Sequence, residues 1–353
     1  RWSSPSTQKA TPSTSETAMS KAIEKLPVTY IYRNTDAFSI EKVFDTVADA
    51  LPEDIALEKH KIPCSGVSVL KLFRNILSVR PFRKKIVHVT GDAHYTILGA
   101  SRKRSILTVH DLGILDAKKG FAKFLLWLLW FYLPVRHATV VTCISEATKQ
   151  ALLDTVKVSP DKIVVVRNPV GANFTPEPMP DASGNIRLLH IGTKPNKNLR
   201  RLATALHGIN GVELRIIGVI PDEDKKLLDE LNINYSAADH LSDSEIVDEY
   251  RKCHIVCFIS TFEGFGVPIL EGQRTGRVVL TSNISPMKEV AGNSAVLVDP
   301  FNVDDIREKI LQLLSNRDKW QEIISRGNAN VSIYSPEAVA GEYAAIYRRI
   351  QQQ

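Results

Sequence analysis

Two carboxylates, Glu263 and Glu271, flank a glycine-bearing turn in STFEGFGVPILEGQRTGRVVLTS, residues 260–282. The run before them, HIVCFIS, reads as a buried parallel strand ending near Ser260. Gly264 and Gly266 permit a turn in which backbone approaches a ligand closely. Pro268 fits the first helical position, where its missing N–H costs little, and Gly276 is placed to end the helix after Thr275. The free amides and positive dipole end of that helix face the strand-end crevice and suit a phosphate. Glu271 stands about one turn inside the helix and Glu263 just before the turn. A carboxylate accepts two hydrogen bonds at once, which suits vicinal hydroxyls on a ribose or a hexose. Phosphate on the amides with sugar hydroxyls on either side is the chemistry of a nucleotide-sugar. Taken alone, the pair also fits a plainer account, with Glu263 favouring the helix dipole and Glu271 a solvated helix residue.

The elements that must hold these groups are legible around them. VTYIY, KIVHVTG, SILTVHD and ATVVTCIS are short β-branched runs in the first half; IRLLHIG, VELRIIG, HIVCFIS, RVVLTS and SAVLVD repeat the pattern in the second. Amphipathic helical segments such as SIEKVFDTVADAL and DDIREKILQLLSN lie between them. Continuous apolar strands alternating with helices predict an α/β protein with parallel sheets covered on both faces. Ligands then sit outside the carboxyl ends of the strands. The 353 residues exceed one ordinary core and predict two doubly wound, Rossmann-like domains facing across a cleft. The Pro-, Gly- and Asn-rich stretch RNPVGANFTPEPMPDASGN, residues 167–185, joins them. The predicted division is 20–170 and 171–335. Residues 1–19, rich in Ser, Thr and Pro, are expected to be a disordered leader, with Met19 a candidate natural start.

Four scattered cysteines exclude a disulfide framework, and Cys253 and Cys257 read as small core residues of a reduced cytoplasmic protein. The net charge of +6 is uneven: residues 1–180 hold 25 Lys and Arg against 16 Asp and Glu, the remainder 20 against 23. Nine basic residues between Lys71 and Arg104 face Asp92 as the one acid, which suggests an anionic membrane surface or a phosphorylated substrate; a solvated basic face is the plainer account.

EGFGVPILE is similar to the Glu-x7-Glu signature of the retaining family-four glycosyltransferases, whose fold is GT-B. LLHIGTKPNKNLRRL resembles their first strand and phosphate loop in the carboxyl-terminal domain. TCISEATKQALL resembles a segment in which a Ser follows a strand and starts a helix, and ILTVHDLG the amino-domain loop with their active-site histidine. The resemblance spans roughly residues 85 to 350 and implies a metal-independent enzyme moving a sugar from a nucleotide-sugar donor to a glycan or lipid-linked acceptor in cell-surface polysaccharide or glycolipid synthesis. Nucleic acid is not among the implied partners. It assigns Glu263 to the transferred sugar, Glu271 to the ribose, and the backbone of Gly264, Phe265, Gly266 and Val267 to sugar and diphosphate. Gly192, Thr193 and Lys197 line the diphosphate, where a cation stabilises the charge that grows as the glycosidic bond breaks. The family usually has Arg or Ser where Thr193 stands, and the loop here is short; Lys194 is a candidate for the missing charge. His110 contacts the transferred sugar from the amino-terminal side, with Asp111 beside it to orient the ring or position the acceptor. Residues 336–353 are expected to form a helix returning to the amino-terminal domain. Asp36 or Ser39 can cap the helix after the first strand, which lacks the paired glycines of many relatives.

FAKFLLWLLWFYLP, from Phe121, includes ten consecutive apolar residues, too few to span a bilayer, where ~20 are needed. It is either a core helix or partly inserted in a membrane interface, with Lys118, Lys119 and Lys123 alongside. LKLFRNILSVRPFRKK, residues 70–85, is a second basic and apolar stretch. The expected location is cytoplasmic, at the inner face of the membrane if these segments dock. A nicotinamide-dependent enzyme is the nearest rival in fold, but neither half opens with the G-x-G-x-x-G turn it needs. A GT-B epimerase or phosphorylase and an inactive GT-B scaffold are the remaining alternatives. The one Asp-x-Asp match, Asp222 to Asp224, reads as an ordinary acidic helix start.

Overall fold

The computed structural model describes residues 25–34, 39–115 and 118–353. The leader and the Asp36 cap lie outside the described residues. Among the described residues, two six-stranded parallel sheets form. The first contains β1 (Leu26–Tyr32), β2 (Ile55–Lys61), β3 (Ile86–Val89), β4 (Ser105–Val109), β5 (Val140–Cys143) and β6 (Ile163–Val165), in the order β2-β1-β3-β4-β5-β6. The second contains β7 (Ile186–Ile191), β8 (Val212–Ile217), β9 (Tyr235–Ala238), β10 (Ile255–Phe258), β11 (Val278–Ser282) and β12 (Val296–Val298), in the order β12-β11-β10-β7-β8-β9.

The interior strands are buried on both faces, which is why they read as unbroken apolar runs: β3, β4, β5, β10 and β11 have no exposed residue. In each sheet the chain first winds one way and then crosses to the other side of its first strand. The switch points are therefore β1/β3 and β7/β10. Ligand crevices open beyond the carboxyl ends of strands at such a reversal. At the second one stand the two loops that carry Gly192 to Lys197 and Thr261 to Gly266.

The last helix, Pro336–Gln351, packs on the first sheet although it follows the second in sequence. Its Tyr347 hydroxyl bonds His88 Nδ1 (2.8 Å), and His88 Nε2 bonds Thr108 Oγ1 (2.7 Å). The His88 ring is fully buried, and that burial pushes its pKa down to about 3, so it serves as a neutral linker. Cys253 and Cys257 lie fully buried beneath the second sheet's helices.

Candidate active site

The helix Val267–Thr275 starts from Gly266 in the left-handed region (φ 119°) and carries Pro268 in its first turn. A side chain at Gly266 would be strained there. At the helix start Pro268 has no N–H and Ile269 N donates to the Gly266 carbonyl (3.0 Å), so the amides of Gly266 and Val267 are the ones left without a partner inside the helix. Gly276, also left-handed, closes the helix at its far end.

Glu263 and Glu271 sit on opposite sides of that helix start. Glu263 Oε1 accepts from Lys197 Nζ (2.6 Å) and from Asn196 Nδ2 (3.2 Å). Lys197 also lies 4.7 Å from the centroid of the Phe258 ring, so the ammonium is held by a carboxylate and an aromatic face together. The short turn Pro195–Lys197 brings it there, and a Cβ at Gly192 would sit 3.0 Å from Lys197 Cγ. Asn196 ties the two loops: its Nδ2 donates to the Phe262 carbonyl (2.9 Å), and its own carbonyl accepts from Thr261 N (2.8 Å). Asn198, left-handed at φ 68°, donates to the carbonyls of Ile259 (3.1 Å) and Pro300 (2.7 Å). The Thr193 hydroxyl is spent on the Val219 carbonyl (2.6 Å), and Lys194 stands exposed at the rim.

Glu271 has a different surrounding. The Tyr250 hydroxyl donates to its Oε2. Burial pushes the Glu271 carboxyl up from 4.5 to about 7; the Tyr250 hydrogen bond opposes this and the nearby Asp243 adds to it. One oxygen is thus already taken, so the free carboxylate that the sequence suggests for two hydroxyls is here a single available oxygen. Glu271 opens on a cavity of about 480 Å³ whose far wall is the amino-terminal helix Ser39–Asp49, including Lys42, Asp45 and Asp49.

The amino-terminal domain meets the turn at Gly264. A Cβ there would lie 3.0 Å from the His110 carbonyl oxygen and 3.4 Å from Asp111 Cβ, so glycine is what lets the two domains approach. Ser145 caps the helix Glu146–Thr155 by accepting from Thr148 N (3.1 Å), and its hydroxyl donates to the Gly264 carbonyl across the cleft (3.3 Å). His110 is buried; its Nε2 bonds the Thr90 carbonyl (2.8 Å). Burial holds the ring neutral by lowering its pKa. A neutral ring that donates from Nε2 has an unprotonated Nδ1, which is an acceptor. Asp111 Oδ1 accepts from Gly113 N (2.8 Å), so it shapes its own loop and does not bond the His110 ring.

A cavity of about 700 Å³ lies between the domains, with Asp111, Glu263 and Gly264 at one end and Phe124, Trp127 and Phe262 on its walls. The aromatic stretch from Phe121 divides between the two expectations. Trp130 and Phe131 are core, whereas Phe121 and Phe124 are 74% and 50% exposed. A π-helical turn at Trp127–Tyr132 separates the exposed helix Gly120–Leu126 from Leu133–His137. Asp222 to Asp224 form the first turn of the helix Asp222–Glu230. Among the described residues no helix is long and apolar enough to cross a membrane. Tyr250 was not visible as a site residue in the sequence; Asn196 lay unremarked within the quoted phosphate loop, and Ser145 carried a signal as the Ser that follows a strand and starts a helix.

Residues 28–174 match the model of Glycosyltransferase Family 4 and residues 184–329 that of Glycosyl transferases group 1. The O-antigen chain mannosyltransferase B of Escherichia coli is 25% identical over 325 residues, covering 80% of this chain and 78% of that protein. The MMP alpha-(1->4)-mannosyltransferase of Mycolicibacterium hassiacum is 23% identical, covering 82% and 70%. The crystal structure of Anabaena HepE in complex with UDP and glucose superimposes with a TM-score of 0.73 at 15% identity, covering 92% of this chain and all (100%) of that one. Two doubly wound sheets meeting at a glycine turn, with the amino-terminal half matched by the Glycosyltransferase Family 4 model and the carboxyl-terminal half by the Glycosyl transferases group 1 model, give one conclusion: the chain is a glycosyltransferase of the GT-B fold.

Proposed function

We propose that the chain transfers a hexose, mannose in the first instance, from a nucleotide-sugar to a hydroxyl of a glycan or lipid-linked acceptor in cell-surface polysaccharide synthesis, with retention at the anomeric carbon. The observation that carries the reading is the Lys197–Glu263 pair at the start of the helix Val267–Thr275, opposite His110. A donor lying across this helix start has its diphosphate on the free amides and beside Lys197. Its sugar then falls between Glu263 and His110, on the side of the 700 Å³ cavity, and its nucleoside on the side of Glu271. Mannose is taken from the two relatives above, both mannosyltransferases by name.

In this reading the bond from the anomeric carbon to the diphosphate oxygen breaks while the acceptor oxygen bonds the same carbon from the same face. The acceptor's proton goes to the departing diphosphate. Lys197 and the amides stabilise the charge growing on that diphosphate, so no metal ion is assigned. The acceptor enters through the 700 Å³ cavity, whose aromatic walls suit an apolar portion.

Exposed apolar residues of the amino-terminal domain support docking on an anionic membrane. Val69, Leu70 and Phe73 of the helix Val69–Val79 and Phe121 of the helix Gly120–Leu126 are exposed, with Lys71, Arg74, Lys118 and Lys119 exposed among them. Apolar anchors with a basic fringe suit a headgroup layer. A thermal-shift panel of mannose- and glucose-bearing nucleotides, followed by a transfer assay with product NMR, tests the reading. A bound donor at a hundred times its dissociation constant adds about 2.7 kcal/mol. Absence of any shift, or a product with inverted anomeric configuration, contradicts it.

A further inference from the structure

The donor-side carboxylate is aimed by a residue outside every motif of the sequence. Tyr250 belongs to the helix Asp243–Lys252 and is fully buried. Its hydroxyl donates to Glu271 Oε2, and its ring stands edge-on to Phe174 with centroids 5.2 Å apart. The main chain of Tyr250 is fixed as well. Its carbonyl accepts from Arg277 Nε (2.9 Å). Arg277 is 1% exposed and gives its other N–H groups to the carbonyls of Glu177 (3.2 Å), Gly276 (3.2 Å) and Arg251 (3.0 Å). A buried guanidinium bound to four backbone carbonyls locks the end of Tyr250's helix to the end of Glu271's helix. The phenol therefore has little freedom to follow the carboxylate; the carboxylate must come to the phenol.

Resting on the proposed function, we infer that Tyr250 is a positioning residue: it occupies Glu271 Oε2, turns the carboxylate toward the cleft and leaves Oε1 to meet the donor's nucleoside hydroxyls. Among the described residues no donor reaches Oε1. The choice of a phenol has a physical sense. A cation on Glu271 would compete with the ligand, since a charge-assisted pair must be broken before a hydroxyl replaces it. A neutral donor orients the carboxylate without neutralising it. The charged groups facing the same cavity keep to themselves: Lys42 of the helix Ser39–Asp49 pairs with Asp243 (2.6 Å), and Asp45 takes Lys59 (2.5 Å), while Asp49 is a further acid on that wall. Asp243 raises the Glu271 carboxyl and Tyr250 lowers it, which fits a group kept ionisable near neutrality by its phenol.

Tyr250→Phe keeps the ring against Phe174 and removes the hydroxyl alone. Two readouts separate this inference from the function on which it rests. The first needs no ligand: the Glu271 side-chain carboxyl, followed by carbon NMR and assigned with Glu271→Gln, titrates at higher pH in Tyr250→Phe than in the unaltered protein. The second is affinity for the nucleotide-sugar picked out by the thermal-shift panel. It falls about tenfold in Tyr250→Phe, the loss expected for one hydrogen bond to a charged group, with kcat at saturating donor little changed. In a Glu271→Ala background the same change costs nothing further, because the residue acts through that carboxylate. Tyr235→Phe, which removes an exposed hydroxyl from Asp229, moves neither readout. An unmoved carboxyl titration overturns the inference. So does a moved titration with donor affinity intact, or a tenfold loss that persists when Glu271 is already alanine. A protein that binds no nucleotide-sugar overturns the proposed function, while the ligand-free titration still decides whether Tyr250 governs Glu271.

Discussion

The two faces of the cleft are built on different principles. On the carboxyl-terminal side the polar side chains around the helix start bond one another or nearby backbone. Lys197 is on Glu263, Asn196 bridges two loops, Thr193 is on the Val219 carbonyl and Tyr250 is on Glu271. On the amino-terminal side the walls of the 700 Å³ cavity include Phe124 and Trp127, of which Phe124 is 50% exposed, and Phe121, one turn earlier in the helix, is 74% exposed. A face of fixed dipoles holds a charged ligand with little reorganisation, which is what a developing negative charge needs. A face of exposed apolar surface gains by being covered and is indifferent to the covering molecule's detailed shape. Under the proposed function the carboxyl-terminal, donor side is thus shaped for one ligand class, whereas the amino-terminal, acceptor side is shaped for contact area.

The strongest test of that contrast is Lys197. Lys197→Met removes the charge nearest the expected diphosphate and leaves Glu263 Oε1 with Asn196 alone. Loss of one preorganised charge at a transition state costs on the order of 10²- to 10³-fold in turnover. Steady-state kinetics should show the loss in kcat/KM with every acceptor tried, since the donor side does not know which acceptor is bound. A loss confined to one acceptor would erase the distinction between the faces.

Gly264→Ala should come next, at roughly tenfold to a hundredfold in kcat, the penalty of a misplaced reacting geometry. The new methyl group would stand 3.0 Å from the His110 carbonyl, a backbone atom that can yield only if the domains separate. Donor affinity should fall less than turnover, because the added methyl group meets His110, Asp111 and Ile144 of the amino-terminal domain and not the Lys197 loop. Calorimetric binding beside turnover distinguishes the two.

How much of this was readable beforehand follows the same division. The buried central strands announce themselves because burial on both faces leaves no polar positions. At two of the four sheet edges β2 and β9 read IALEKHK and YSAA, mixed sequences with no strand signature, because most of their residues are only partly buried or exposed. The helix Val267–Thr275 was legible to its last residue, since Gly266, Pro268 and Gly276 each have a local conformational reason to be there. Tyr250 and Arg277 were not, because they act on Glu271 from 21 and 6 residues away through a fold that sequence spacing does not encode. The apolar stretch from Phe121 was legible in composition only. Whether an aromatic run is core or surface depends on which turn of the helix meets the sheet.

A smaller effect concerns pH. Glu271 is raised from 4.5 to about 7 by burial, so between those values the folded chain holds a proton that the unfolded chain has lost. Stability from this group is therefore present at low pH and declines as pH rises through that window. Under the proposed function donor binding has the opposite slope, because the nucleoside hydroxyls would donate to the ionised form of Glu271. Affinity should fall up to about tenfold for each pH unit below 7, and calorimetry in buffers of different ionisation enthalpy should record proton release on binding. Glu271→Gln should flatten the profile; a slope that remains would move its origin to another group.

The least costly change should be on the exposed helices of the amino-terminal domain. Val69→Ser with Phe121→Ser removes two exposed apolar side chains, 86% and 74% open, that touch none of the proposed donor groups. Turnover on a short water-soluble acceptor should be unchanged. Binding to vesicles containing anionic lipid should drop severalfold, each lost anchor being worth at most about 1.5–3 kcal/mol of apolar burial, and turnover on a vesicle-borne acceptor should drop with it. Raising salt should weaken the unaltered protein on the same vesicles, because the basic fringe acts through screened charge. If flotation is equal for neutral and anionic vesicles, or for the altered and unaltered chains, the exposed face serves something other than a bilayer, and the contrast between a polar donor side and an apolar acceptor side must then be explained by the acceptor molecule alone.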